Sequence, residues 1–561
     1  MNLSFAPEIA SVVITLLIAF LLAKPAGYYL YHAFVPEKNK IDRFFGPFER
    51  WLYRVAGIHQ GDQNWKKFLS SLLAFNVLAI VLVYAVFRLQ GVLPLNPSQL
   101  PGLEPTLAFH TAISFITNAD LQHYSGENTI SYLSLLIGCL YLNFVAPATG
   151  AAAGVAFIRV LAGKTMGNFY VHFTRMITRV LLPIVLVLAF AFVAMGVPQT
   201  LEPTVAATTL EGGEQEIARG PMASMIPLKM LGNNGGGVTG VNAAHPFENP
   251  TAISNTIQMV LMLILGMAFP FMYGRMVGNI KEGRVIFYSM GTLLVILVTA
   301  SLIFEYGGNP KLEALGLPHS PGSLEGKELR FGVTQSSLFS VITTTSGTGG
   351  PNTMHDTLTP IGGMVALLSM MLGTVYGNVG GGMLSILMYI LLSVFLSGLM
   401  VGRTPEFLGK KIDFKQMKLI AVTLLVTPFL ILVPSAIAFS TPLGYGSISN
   451  PGFHGVSQVL YEYTTSATDN GSNFAGMATN TPFWNISTAL VLFLARFIPF
   501  ITLLAVAGSM ANKKKVPDTI GTFRTDTPLF GIVLFMIVVI IGALSFLPAL
   551  VLGPIAEHLT L

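Results

Sequence analysis

Residues 233–237 read Asn233-Asn234-Gly235-Gly236-Gly237. This run without bulk follows an apolar stretch, 222–231, that is too short to cross a bilayer, since a spanning helix takes about 20 residues. The same combination recurs three times. The stretch 107–116 precedes Thr117-Asn118-Ala119-Asp120, 333–344 precedes Gly347-Thr348-Gly349-Gly350, and 456–467 precedes Thr468-Asp469-Asn470-Gly471. The turns begin at 117, 233, 347 and 468, an internal repeat of about 115 residues. Short apolar stretches that end in Ser, Thr, Asn and Gly suit half-helices that enter a membrane and turn back. The alternative is a set of caps resting on its surface.

Around these segments lie ten stretches apolar enough to span, at 9–30, 68–87, 130–158, 177–195, 252–274, 285–303, 361–399, 419–439, 485–509 and 529–552. With the N-terminus outside and sides alternating, 24 of the 31 Lys and Arg fall inside, six outside, and Arg496 within a span. That bias supports ten spans with both termini outside. The first run, roughly Ile9 to Leu22, has no basic residue before it, only Glu8, and is followed by Lys24, which reads as an uncleaved span. Four repeats with one span at each end give ten again. The expected fold is an all-α integral membrane protein. It comprises an N-terminal span within 1–30, channel repeats at 68–158, 177–274, 285–399 and 419–509, and a C-terminal span at 529–552.

Composition agrees. Hydrophobic residues make up 52% and charged residues 10%, against about 25% charged in soluble domains. The net charge of +5 sits in short clusters between spans and does not point to nucleic acid. Cys139 is the one cysteine, which excludes a disulfide framework or a Cys-based metal site and reads as a small core residue. Neither a phosphate-binding GxxxxGK[ST] loop, a DKTGT-type phosphorylation sequence nor HExxH occurs, so the chain is expected not to hydrolyse ATP. His110, His123, His245 and His355 fall near the turns, in outside loops where structural roles are more common than metal binding.

Irregular backbone persists at membrane depth only where it is buried in protein or lines a wet cavity. Four equivalent turns would converge on a pseudo-fourfold axis, where carbonyl oxygens can replace the hydration shell of a cation. Glycine accepts φ > 0 and lets successive carbonyls face one way. Each half-helix also ends with its negative dipole end toward the turn. Potassium, more easily dehydrated than sodium, suits such a site. The candidate filter residues are Asn118, Ala119 and Asp120; Asn233, Asn234 and Gly235; Gly347, Thr348 and Gly349; Asp469, Asn470 and Gly471. The first turn lacks glycine, so one looser or side-chain-assisted wall is expected there. Asp120 and Asp469 either attract cations at the outer mouth or are solvated loop acids. Gln122 either shapes the filter entrance or lies on the surface. Arg496 stands near mid-span, where an arginine is functional by default, and below a filter it would oppose a cation leak. The stretch 361–399 is too long for one helix and is broken by glycines at 373–382. Gly377, Asn378, Gly380, Gly381 and Gly382 form either a gate loop or a close-packing seam.

These residues carry a resemblance. Asn64-Trp65-Lys66, Leu95-Asn96-Pro97, Ser125-Gly126-Glu127, His245-Pro246-Phe247-Glu248-Asn249-Pro250-Thr251, the stretch 402–412 (GRTPEFLGKKI) and Pro482-Phe483-Trp484-Asn485 make the chain similar, nearly end to end, to the potassium-binding A subunit of the bacterial and archaeal Kdp potassium-transporting ATPase. The resemblance implies the fold of the superfamily of K⁺ transporters, in a prokaryotic plasma (cell inner) membrane. It implies a non-catalytic subunit that binds extracellular K⁺ and passes it through an intramembrane tunnel to a partner B subunit, a P-type ATPase. ATP and Mg²⁺ are used there, so no cofactor is expected on this chain beyond the transported K⁺. Small C and F subunits would complete the complex. The family's filter falls on the twelve residues above, its arginine on Arg496 and its gate loop on 377–382. The chain departs from the family pattern at Ala119-Asp120, at Gly347-Thr348, and at Gly373, where the family carries an acid. Two other readings remain: a self-sufficient Trk/Ktr-like channel-transporter, and a membrane enzyme or scaffold with polar outer loops.

Overall fold

A computed structural model describes residues 6–35, 39–316, 322–402, 404–514 and 523–561. Lys38, Arg403 and Lys515, which entered the charge count, lie outside them. Ten helices among the described residues are long and apolar enough to cross a membrane.

The first helices are α1 (Ala6–Phe34), α2 (Lys40–Val55), α3 (Trp65–Leu89), α4 (Pro105–Ile116), α5 (Ser134–Leu161) and α6 (Phe169–Ala194). Next come α7 (Met222–Leu231), α8 (Ala252–Met276), α9 (Ile280–Gly307), α10 (Gly332–Thr345), α11 (Pro360–Leu372) and α12 (Gly381–Met400). The chain ends with α13 (Phe414–Ser440), α14 (Phe453–Ala467), α15 (Pro482–Ala511) and α16 (Pro528–Leu550). Long helix, short helix, polar turn and a further helix follow one another four times, with α4, α7, α10 and α14 as the short members; the closing helix is long in the first, second and fourth repeats and broken in the third. The stretch 361–399 is not one span. It splits into α11, of 13 residues, a loop, and α12, because Gly373 ends α11 in the left-handed region at φ +58°.

Lipid offers no water to the first N–H groups of a helix, so starts are capped from the chain itself. Thr359-Pro360, Thr481-Pro482 and Thr527-Pro528 each place a hydroxyl acceptor before a proline at the first helical position. Glu104 caps α4, accepting from the N–H groups of Thr106 and Leu107 at 2.8 and 2.9 Å. The short helices are buried. In α10, Ser337, Thr344 and Thr345 donate back to carbonyls four residues earlier at 2.7–2.8 Å, which satisfies them within the helix. Helices α5 and α8 are largely buried, whereas α1, α3 and α13 turn most of their surface outward. The short helices and their turns therefore sit inside a wall of long ones.

One ionic cluster ties the end of the chain to this centre. His454, in the first turn of α14, lies 2.9 Å from Asp356 and 2.8 Å from Glu557. Burial pulls its pKa down, but the hydrogen bonds and charges of both carboxylates outweigh that and push it up to about 9. A pKa above the unfolded value of about 6.5 stabilises the fold below pH ~6.5, and the contribution is lost as pH rises through about 9. We expect His454→Gln to lower stability by up to about 3 kcal/mol at pH 6. Its thermal midpoint should converge with that of the parent above pH 9; a gap that does not change with pH would rule the charge out as the cause.

Candidate functional site

The four polar turns share one backbone. Positive φ occurs at Asn118 and Asp120, Asn233 and Gly235, Gly347 and Gly349, and Asp469 and Gly471. This alternation of sign, two residues apart, points successive carbonyls to the same side of the strand. The N–H groups fold back onto the half-helices. Ala119 and Asp120 both donate to Ser114 O at 3.2 and 3.1 Å, Asn234 and Gly235 to Lys229 O at 2.9 and 3.2 Å, and Thr348 and Gly349 to Thr343 O at 3.0 and 3.3 Å. In the fourth turn Asn470 donates to Thr465 O at 3.0 Å and Gly471 to the Thr465 hydroxyl at 2.8 Å. The carbonyls of Ala119, Asn234, Thr348 and Asn470 accept no hydrogen bond among the described residues.

These turns meet edge to edge. A Cβ built on Gly235 would stand 1.6 Å from Thr348 O, one on Gly349 2.0 Å from Asn470 O, and one on Gly471 1.6 Å from Ala119 O. The second turn thus abuts the third, the third the fourth and the fourth the first. At the remaining junction Asp120 takes the glycine's place at φ +52°. Its carboxylate leaves the ring sideways, within 2.7 Å of the Asn143 amide nitrogen and near Gly236. The expected side-chain-assisted wall is therefore a buried carboxylate behind the strand.

Asp120 and Asp469 are not acids of an outer mouth; both are buried. Asp469 opens its turn at the half-helix end, so its side chain points away from the mouth, 3.2 Å from Arg496 Nη1. Gln122 is also buried. It grips Gly237 of the neighbouring turn from both sides, donating to its carbonyl at 3.0 Å and accepting from its N–H at 2.9 Å.

The loop between α11 and α12 lies directly under the turns. Asn378 donates to Asp469 O at 3.2 Å and accepts from Asn118 Nδ2 at 3.4 Å. Gly377 O lies 2.2 Å from a Cβ built on Gly382, and Gly150 O 2.1 Å from one built on Gly380, so the loop is also packed tightly against α5. Gly381 faces Arg496, 3.5 Å from its built Cβ. Arg496 Nη2 donates to Ala146 O at 3.3 Å, with the guanidinium 4.8 Å over Phe500. A cavity of about 140 Å³ lies here, bounded by Gly347, Asn378, Asp469 and Arg496 and reaching Thr423 of α13 and Phe546 of α16. That is room for a few waters. The candidate filter and gate residues come together, from segments more than 350 residues apart.

Three features are not evident from the sequence. Lys229, counted among outside cations, is buried in α7 and pairs with Glu248 at 2.5 Å while donating to Asn242 at 3.0 Å. Glu248 in turn accepts from the N–H and hydroxyl of Thr239, both at 2.8 Å, so the pair braces the second turn behind Gly237. Lys229→Met is expected to cost about 3–5 kcal/mol of stability by stranding a buried carboxylate. Adding Glu248→Gln should recover part of it in thermal unfolding. The second feature is the set of histidines assigned to loops. His110 is buried within α4, stacked 3.8 Å from His123. His123 bridges Glu462 at 2.9 Å and Asn485 at 2.8 Å, and His355 bridges Ser340 at 3.1 Å and Tyr461 at 2.6 Å. The third is the amide ladder: Asn118 donates to Asn233 O at 2.6 Å and accepts from Asn234 at 3.0 Å, and Asn233 donates to the Thr348 hydroxyl at 2.9 Å.

The model of a family described as the potassium-transporting ATPase A subunit matches residues 13–559. Among solved structures, the potassium transporter TrkH from Vibrio parahaemolyticus is similar at 15% sequence identity and a TM-score of 0.52, over 88% of this chain and 98% of its own. At that identity the likeness speaks for the fold alone.

Proposed function

Because the chain belongs to the family of potassium-transporting ATPase A subunits, we propose that it binds extracellular K⁺ in a ring built by the four polar turns and hands it sideways to a P-type ATPase B subunit. The observation that carries this reading is the set of four unpaired carbonyls, at Ala119, Asn234, Thr348 and Asn470. Buried carbonyls without donors are costly, and a dehydrated cation is the partner their arrangement suits. The filter comprises Asn118–Asp120, 233–235, 347–349 and 469–471, with Gln122 at its outer end. Gly377, Asn378, Gly380, Gly381 and Gly382 close its inner end together with Arg496. A fixed cation there opposes straight passage, and the cavity beside it supports a sideways tunnel toward α13 and α16. The four repeats at 68–158, 177–274, 285–399 and 419–509 each supply one wall. In this reading C and F subunits complete the complex, both termini face outward, and the membrane is the plasma membrane of a prokaryote.

The test is ATPase activity of the complex purified through a tag on this chain and titrated with K⁺, Rb⁺ and Na⁺. Stimulation by K⁺ at low concentration but not by Na⁺ is expected. The likeness to TrkH in fold favours one rival, a self-sufficient channel-transporter. K⁺ currents from this chain alone, with no ATPase co-purifying, would establish that rival instead.

A further inference from the structure

Helix α2 is turned inside out relative to a helix on a protein surface in water. Its acids point inward. Glu49 pairs with Arg179 at 2.6 and 2.7 Å and accepts from the Thr178 hydroxyl at 2.8 Å, and Asp42 reaches the same arginine at 2.8 Å. Arg179 is fully buried. The outward face carries Phe44, Phe48, Trp51 and Val55, exposed by 78, 52, 53 and 68%. Their spacing of four, three and four places them on one side of the helix, and Phe48 and Trp51 stack at 5.8 Å. Exposed Lys40, Arg43, Arg50 and Arg54 flank this face. In the chain α2 lies between the spans α1 and α3, so the helix is held at one face of the membrane. The charge bias makes that face the inner one. Beneath its C-terminal end opens a groove of about 620 Å³, with Leu52, Phe75 and Phe173 in its wall and His59 and Lys67 among its lining residues.

A cluster of aromatic side chains facing water would be a liability, whereas at a bilayer boundary it is an anchor. Arginines beside it match lipid phosphates. We propose that α2 is an interfacial membrane helix that binds anionic phospholipid. Phe44, Phe48 and Trp51 enter the boundary between headgroups and acyl chains, Arg43, Arg50 and Arg54 hold headgroup phosphates, and the groove receives an acyl chain. The Arg179 pairs fix the roll of the helix, so that this face meets lipid.

The test uses the whole complex in phosphatidylcholine/phosphatidylglycerol vesicles. Cys139 is the one cysteine of this chain and is buried, so in a complex whose partner subunits carry no accessible cysteine, nitroxide labels attach selectively at Phe48→Cys, Trp51→Cys and Arg50→Cys. Labels at 48 and 51 should collide with oxygen and be shielded from a water-soluble nickel chelate; the label at 50 should show the reverse. Nickel access at 48 and 51 would overturn the proposal in favour of a solvent-facing helix. Shielding there from both reagents would overturn it in favour of a covering protein subunit. Retention of phosphatidylglycerol over phosphatidylcholine by the purified complex should fall about fivefold for each of Arg43→Gln, Arg50→Gln and Arg54→Gln. Unchanged retention would remove the headgroup assignment.

Discussion

Gly235→Ala is expected to raise the K⁺ concentration that half-stimulates the ATPase of the complex by about 100-fold, equivalent to about 2.7 kcal/mol. Two costs combine. A left-handed φ at a residue with a Cβ costs roughly 1–2 kcal/mol, and Gly235 stands at φ +89°. The added Cβ would also lie 1.6 Å from Thr348 O, so the carbonyl of the next wall must move by more than an ångström-scale tolerance allows. A ring of carbonyls that discriminates between cations depends on the position of each member, so Na⁺ should gain relative to K⁺. Gly471→Ala, with the same clearance to Ala119 O, should behave alike. Gly61→Ala is the control, because a Cβ there meets nothing within 4 Å. If Gly235→Ala retains the parent K⁺ dependence, the turns are not the selective element.

The repeat is legible in the sequence because its signature is local: an apolar run too short to span, followed at once by Ser, Thr, Asn and Gly. The twelve turn residues align on that signature by themselves, and the positive-φ pairs fall on the same alignment. Arg496 is legible for a similar reason, as a charge deep in an apolar run. What the sequence conceals is direction and distance. Nothing in Thr468-Asp469-Asn470 announces that Asp469 points away from the mouth toward an arginine 27 residues later. Lys229 reads only as one of the outside cations because its partner, Glu248, lies 19 residues on, across the turn it braces. Helix α2 is inconspicuous because its 16 residues are amphipathic and too short to span, and its roll depends on Arg179, far along the chain. Local periodicity thus fixes elements, while ionic pairs that decide which way a side chain faces are set by tertiary neighbours.

Arg496→Gln should open a leak. In vesicles without ATP, passive Rb⁺ flux through the complex is expected to rise by about thirtyfold. A unit charge about 8 Å from the ion's path at an effective dielectric of about 20 contributes roughly 2 kcal/mol to the barrier. The same substitution leaves the Asp469 carboxylate buried and unpaired, which should lower stability by about 3–5 kcal/mol. The two effects separate in the double variant Arg496→Gln/Asp469→Asn. Removing the orphaned carboxylate should restore most of the thermal stability, but it returns no positive charge to the cavity beside Asn378 and Gly381, so the leak should persist. A double variant that is both stable and tight would assign the leak to local collapse around Asp469. Vesicles that stay tight with Arg496→Gln alone would show that the barrier below the turns is steric, made by the packed loop whose Gly380 abuts Gly150. The charge would then serve only to hold Asp469, and through it the fourth turn, in place.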